Sequence, residues 1–129
     1  MRSRTLLAIG LVMAIATSAW AQNPPAAGAE QKPFEPTVGQ SGKDVVWVPT
    51  PFVTVEKMLD MAKVTPQDFV MDLGSGDGRN IIAAAKRGAN ALGVEFNHDM
   101  VELARRQATA AGVSDRARFV EGDMYEADI

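Results

Sequence analysis

Asp72, Gly74, Gly76 and Gly78 alternate with other residues in the run Asp-Leu-Gly-Ser-Gly-Asp-Gly, directly behind the apolar stretch that begins at Phe69. Glycines at that spacing leave the backbone bare to a ligand, and the acid adds a hydrogen-bond acceptor and negative potential beside it. Two further acids stand at comparable places downstream, Glu95 after Ala91-Leu-Gly-Val94 and Asp123 after Ala117-Arg-Phe-Val120. A dinucleotide pyrophosphate would ask for Gly-x-Gly-x-x-Gly at a helix N-terminus. Here Arg79 takes the place of the third glycine, and Asp72 would repel a phosphate pressed on the loop. A ligand without phosphates but with a positive centre fits the set better.

S-Adenosyl-L-methionine is such a ligand, with a sulfonium, an amino group, a ribose with two free hydroxyls and an adenine. A carboxylate at Glu95 can accept both ribose hydroxyls, Asp123 can accept from the adenine amino group, and Phe96 or Met124 can pack on the ring. Asp72 has a plainer use as a strand-end acid that caps the following helix. Gly78 serves equally well as the small residue that lets helix and strand approach.

The elements that must place these residues are legible in the periodicity. Phe69–Leu73, Ala91–Val94 and Ala117–Val120 have strand length and composition, while Ile81–Lys86 and the face Met100, Val101, Ala104, Ala108 and Ala111 have helical spacing. Gly88 and Gly112 end those helices and Asn97 caps the second. Upstream, Phe52, Val55, Met58, Leu59 and Ala62 recur as one helix face, with Thr50 as N-cap, Pro51 at the first helical position and an end near Lys63. Strand, helix, strand, helix, strand with short links predicts an α/β, Rossmann-like parallel sheet wound with helices. In such sheets ligands lie at the carboxyl ends of the strands, where all three acids fall.

The set Val70-Met-Asp-Leu-Gly-Ser-Gly-Asp-Gly78, Gly93-Val-Glu-Phe96 and Phe119-Val-Glu-Gly-Asp-Met124 resembles class I S-adenosylmethionine-dependent methyltransferases. The resemblance implies that Asp72, Gly74 and Gly76 contact the methionine end, Glu95 the ribose and Asp123 the adenine. Trp47-Val-Pro-Thr50 is similar to the aromatic-x-x-Thr element of Dot1-like and ATP-synthase c-subunit lysine methyltransferases, which implies Thr50 as a further cofactor contact and a protein lysine as acceptor. It covers Val45–Ile129, so only the first three strands of the methyltransferase fold are expected, with acceptor-facing catalytic residues beyond residue 129 and the first strand left at an edge open to self-association. The alternative is a non-catalytic exported module that retains a nucleoside-binding fold.

Composition sets the remaining expectations. Residues 1–21 carry Arg2 and Arg4, an apolar run Leu6–Ala16 and the small-x-small Ala19-Trp-Ala21, the pattern of a secretory signal peptide, hence export to the periplasm or medium. The alternative is an uncleaved leader that anchors the chain, the one membrane contact expected. Residues 22–44, with Pro24, Pro25, Pro33 and Pro36, read as a flexible linker, and residues 45–129 as the ligand-binding domain. Cleavage would leave 11 basic against 16 acidic residues, a net charge of −5 that offers no footprint for nucleic acid. With no cysteine and one histidine, a metal site is not expected. His98 reads as a solvated residue, Asp77 and Arg79 as a surface ion pair or as residues that orient the helix start, and Arg105, Arg106, Arg116 and Arg118 as a solvated face open to partner contact.

Overall fold

The computed structural model describes residues 32–128; the leader and the first part of the linker lie outside the described residues. Three helices and three strands alternate as α1 (Phe52–Met61), β1 (Phe69–Leu73), α2 (Arg79–Lys86), β2 (Asn90–Glu95), α3 (His98–Ala110) and β3 (Ala117–Glu121). The strands form one parallel sheet in the order β1-β2-β3. Among the described residues this is a three-stranded Rossmann-like α/β sheet with its helices on one face and β1 and β3 at its edges.

Register decides which side chains share a face. Asp72, Gly93 and Phe119 lie abreast, as do Val70, Ala91 and Ala117. These rows face α2 and α3, where Ile81, Ala84, Val101, Ala104 and Phe119 form the core with Val55 and Leu59 of α1. Ile81 is fully buried, a burial that stabilises by ~2 kcal/mol. The alternate rows, Met71 with Leu92 and Leu73 with Val94 and Val120, point to the opposite face. There Phe69, Leu73 and Val120 are 63%, 38% and 43% exposed, so no described element covers them.

Gly78 shows why the loop after β1 needs glycine. Its φ is +81°, and a Cβ there would come within 2.6 Å of the Phe119 ring and 2.8 Å of Ala104 Cβ. The close helix–strand approach expected of Gly78 is therefore present.

Two boundaries differ from the sequence reading. Thr50 does not cap α1; Pro51, with φ −55° and ψ 139°, holds the N-cap position, and its carbonyl accepts from the amides of Thr54 and Val55. Hydrogen-bonded structure also begins before Val45, within the stretch read as flexible linker. Thr37 to Trp47 forms a hairpin-like strap: Gly39 N donates to Trp47 O, Trp47 N to Gln40 O and Gly42 N to Val45 O, around an antiparallel bridge between Ser41 and Val46. Proline and polar content hide it in the sequence, because its bonds are backbone ones and its apolar residues Val45 and Val46 stay exposed.

Candidate functional site

The loops after β1 and β2 are tied into one unit at the carboxyl edge of the sheet. Gly74 and Ser75 both donate their amides to Val94 O, at 2.8 and 3.0 Å. Glu95 then closes the unit from the side: Oε2 accepts from Gly76 N and Oε1 from Asn97 N, each at 2.9 Å. Asn97 meanwhile caps α3 by accepting from Met100 N, so the end of β2 is fixed on both sides. Each Glu95 oxygen keeps a second lone pair, leaving capacity for a pair of ligand hydroxyls.

Asp72 lies beside this unit, half-buried, and accepts from Asn80 Nδ2 at 2.9 Å. Burial pushes its carboxyl above the ordinary range; the Asn80 bond pulls it partly back, and the negative charge of Glu95 raises it again. Two acids that repel one another in a partly dry site have room for a positive partner. Ser75 Oγ and Asn80 Oδ1, in the same segment, are buried without a hydrogen-bond partner among the described residues.

Asp123 stands on the far side of the site and is occupied. Its Oδ2 takes an ion pair from Lys43 Nζ at the strap's tip, and its Oδ1 accepts from Tyr125 N at 3.0 Å. The Lys43 bond holds the Asp123 carboxyl below its usual range. The Lys43 ammonium also lies 5.5 Å from the ring centres of both Phe96 and Tyr125. Nothing in the linker's composition points to Lys43, whose partner is 80 residues away.

Between the strap and the strand ends is a cleft of about 300 Å³, at the small end of the range for ligand pockets. Gly74, Glu95, Phe96, Asp123 and Met124 line it together with Trp47. Of the sequence-predicted set, Asp72, Gly76 and Thr50 are not on its wall. Gly76 lies under the Trp47 indole: its φ is +54°, and a Cβ there would meet Trp47 Nε1 at 2.8 Å. Thr50 contributes its backbone carbonyl to Arg79 Nη1 at 2.7 Å.

That arginine meets one of the two uses expected of it, since its amide donates to Asp77 Oδ1 at the start of α2, and corrects the other. Asp77 and Arg79 are not a surface pair: Asp77 is 6% exposed, and Arg79 Nε and Nη2 grip its two oxygens at 3.0 and 2.6 Å. Phe52 of α1 lies over the guanidinium, 4.7 Å from ring centre to carbon, and shields the pair. It staples the glycine loop to the start of α1. His98 is exposed and pairs with Glu121 at 2.8 Å, which raises its pKa; Arg105 and Arg116 reach the carbonyls of Phe119 and Gly88.

Known proteins resemble this chain in sequence and in fold. Residues 72–129 match the family model described as the ANTKMT methyltransferase domain. A solved RNA methyltransferase from Salinibacter ruber, in complex with S-adenosyl-L-homocysteine, superposes with a TM-score of 0.62 at 48% identity, over 64% of this chain and 54% of that one. The fold is that of a methyltransferase. A protein-lysine N-methyltransferase of Saccharolobus islandicus is 46% identical over 87 residues, 66% of this chain and 54% of the relative. The human lysine N-methyltransferase of the ATP-synthase c-subunit is 38% identical over 80 residues, 62% of this chain and 34% of the relative. The chain thus spans about half the length of the archaeal relative and a third of the human one. The class I methyltransferase resemblance read from three short motifs stands. Among the described residues, no cluster of three His, Asp or Glu side chains could hold a metal, and no helix is long and apolar enough to cross a membrane.

Proposed function

We propose that the chain is the cofactor-binding half of an S-adenosyl-L-methionine-dependent methyltransferase whose acceptor is a protein lysine. The observation that carries it is the carboxylate arrangement: Asp72 and Glu95 at the ends of neighbouring strands, mutually repelling, with Glu95 locked by two backbone amides. That arrangement suits a ligand with a cationic end and a diol. When bound, S-adenosyl-L-methionine supplies an electrophilic methyl group. Glu95 accepts the ribose hydroxyls in a carboxylate already oriented, so little ordering is lost on binding. Asp72, held by Asn80, adds negative potential at the methionine end, and Trp47 over Gly76 keeps water from that part of the loop. Asp123 accepts from the adenine amino group beside Phe96 and Met124.

The lysine acceptor is supported by the archaeal and human lysine methyltransferase relatives. The Salinibacter relative is described as an RNA methyltransferase, so protein and RNA are the two outcomes to separate. Incubation with methyl-labelled cofactor and a mixed protein and RNA extract does this: label on lysine supports the proposal, and label in RNA overturns its acceptor.

Calorimetric titration with S-adenosyl-L-homocysteine tests the cofactor itself. Saturable binding that Glu95→Ala and Asp72→Ala each weaken is expected; binding indifferent to both variants would refute the site. Export is the second element of the proposal, supported by the composition of residues 1–21. N-terminal sequencing of the protein recovered from a bacterial periplasm should begin at Gln22; a cell-associated chain that keeps its leader would refute cleavage.

A further inference from the structure

The strap is better anchored at its base than at its tip. At the base, Trp47 packs on the Gly76 backbone, and Gln40 Nε2 lies 3.9 Å from Met100 Sδ. At the tip, Lys43 and Asp44 form the turn, flanked by Val45 and Val46 that are 76% and 55% exposed. Little apolar burial holds the tip down, so its position depends on what Lys43 finds across the cleft.

What Lys43 finds is the acid assigned to the adenine amino group. We propose that Lys43 is a latch that occupies the adenine end of the site, so that cofactor binding requires the Lys43–Asp123 pair to open. The inference rests on the cofactor reading of the preceding section. Its geometry is that of direct competition. Lys43 Nζ holds Asp123 Oδ2, Tyr125 N holds Oδ1, and the ammonium stands beside the faces of Phe96 and Tyr125, where a purine would stack. The competition is one of space and not of lone pairs: the ammonium lies both on Asp123 Oδ2 and beside the two rings, in the place that the purine and its amino group would take. The tip has other anions to turn to once displaced, since Asp44 lies 3.9 Å from Lys43 Nζ and Glu126 also raises its pKa.

A ligand that binds only the open state has its affinity reduced to the fraction of chains in which the competing contact is open. Partly exposed ion pairs of this kind are worth up to about five-fold in an equilibrium. Lys43→Met keeps the aliphatic stem and removes the charge at an exposed position. In the full chain, this variant should bind S-adenosyl-L-homocysteine about two- to five-fold more tightly than the unsubstituted chain, by calorimetry at low ionic strength. Added salt should tighten binding by the unsubstituted chain, as screening weakens the latch, and leave Lys43→Met unchanged.

Glu95→Ala, measured alongside, separates the two claims. If Glu95→Ala loses binding while Lys43→Met binds no better than the unsubstituted chain, the cofactor reading stands and the latch is overturned. If neither the unsubstituted chain nor Lys43→Met binds, the cofactor reading fails and takes the latch with it.

Discussion

The two ends of the site are built by different means. At the β1–β2 end, backbone amides do the holding: Gly74 and Ser75 on Val94, and Gly76 and Asn97 on Glu95, with the shielded Asp77–Arg79 pair behind them. At the β3 end, one long side chain from a strap 80 residues away holds Asp123 in a partly exposed ion pair. Amide contacts leave the first end little freedom to relax, whereas an exposed charge pair can exchange with solvent or ligand at small cost. Under the proposed assignment, the first end is a preformed seat for the ribose and methionine portions and the second an adjustable one for the adenine.

The largest way to break this contrast is to remove what braces the rigid end. Asp77→Ala leaves the Arg79 guanidinium shielded and short of its carboxylate, and should destabilise the fold by ~3 kcal/mol in denaturant titration. The matching change at the other end, Lys43→Met, should leave the denaturation midpoint nearly where it was, since solvent-exposed pairs contribute little. Equal effects would mean that the two ends are not different in kind. Next in size, Glu95→Gln retains shape but loses the charge that Gly76 N and Asn97 N point to. S-Adenosyl-L-homocysteine affinity should fall by about ten-fold or more, as for charged hydrogen bonds worth ~1.5 kcal/mol or above.

Asp72 sharpens the comparison through pH. Its folded pKa is raised, so the folded state holds its proton more tightly than the unfolded chain does. Stability therefore falls as pH rises from the ordinary carboxylate range through the raised folded value. Asp72→Asn should remove that loss, making the ligand-free chain more stable near neutrality and no more stable in acid, while it weakens cofactor binding. Thermal unfolding at the two pH values reads the effect; stability of Asp72→Asn below that of the unsubstituted chain near neutrality would contradict it. The smallest effect concerns His98, whose pKa is raised by Glu121. A raised folded value means that its contribution is present below the unfolded pKa and disappears as pH rises through the folded one. An NMR titration of the His98 ring should show a midpoint that moves down in Glu121→Gln.

The same contrast governs what can be read from the residues alone. The rigid end is legible because its determinants are local: glycine spacing after an apolar run, an acid at each strand end, and Asn97 one turn before the helix face it caps. Apart from Trp47 the strap is not, because residues 41–46 are exposed and make their key contact across a long separation in sequence. The Asp77–Arg79 pair looks exposed in sequence, since Phe52 and Thr50, which shield and extend it, come from α1 and its lead-in. Thr50 reads as a cap for the reason that most threonines before a proline do. The chain instead begins its helix one residue later and gives the Thr50 carbonyl to Arg79.

The most direct test of the account follows the backbone amides of Gly76 and Asn97 by NMR while S-adenosyl-L-homocysteine is added to the full chain. Both amides donate to Glu95, so ligand hydroxyls arriving on that carboxylate should shift them together and saturably, with Gly122 and Asp123 moving at the same ligand concentration. Shifts confined to surface loops away from the strand ends, with Gly76 and Asn97 unmoved at saturation, would contradict the assignment of this site.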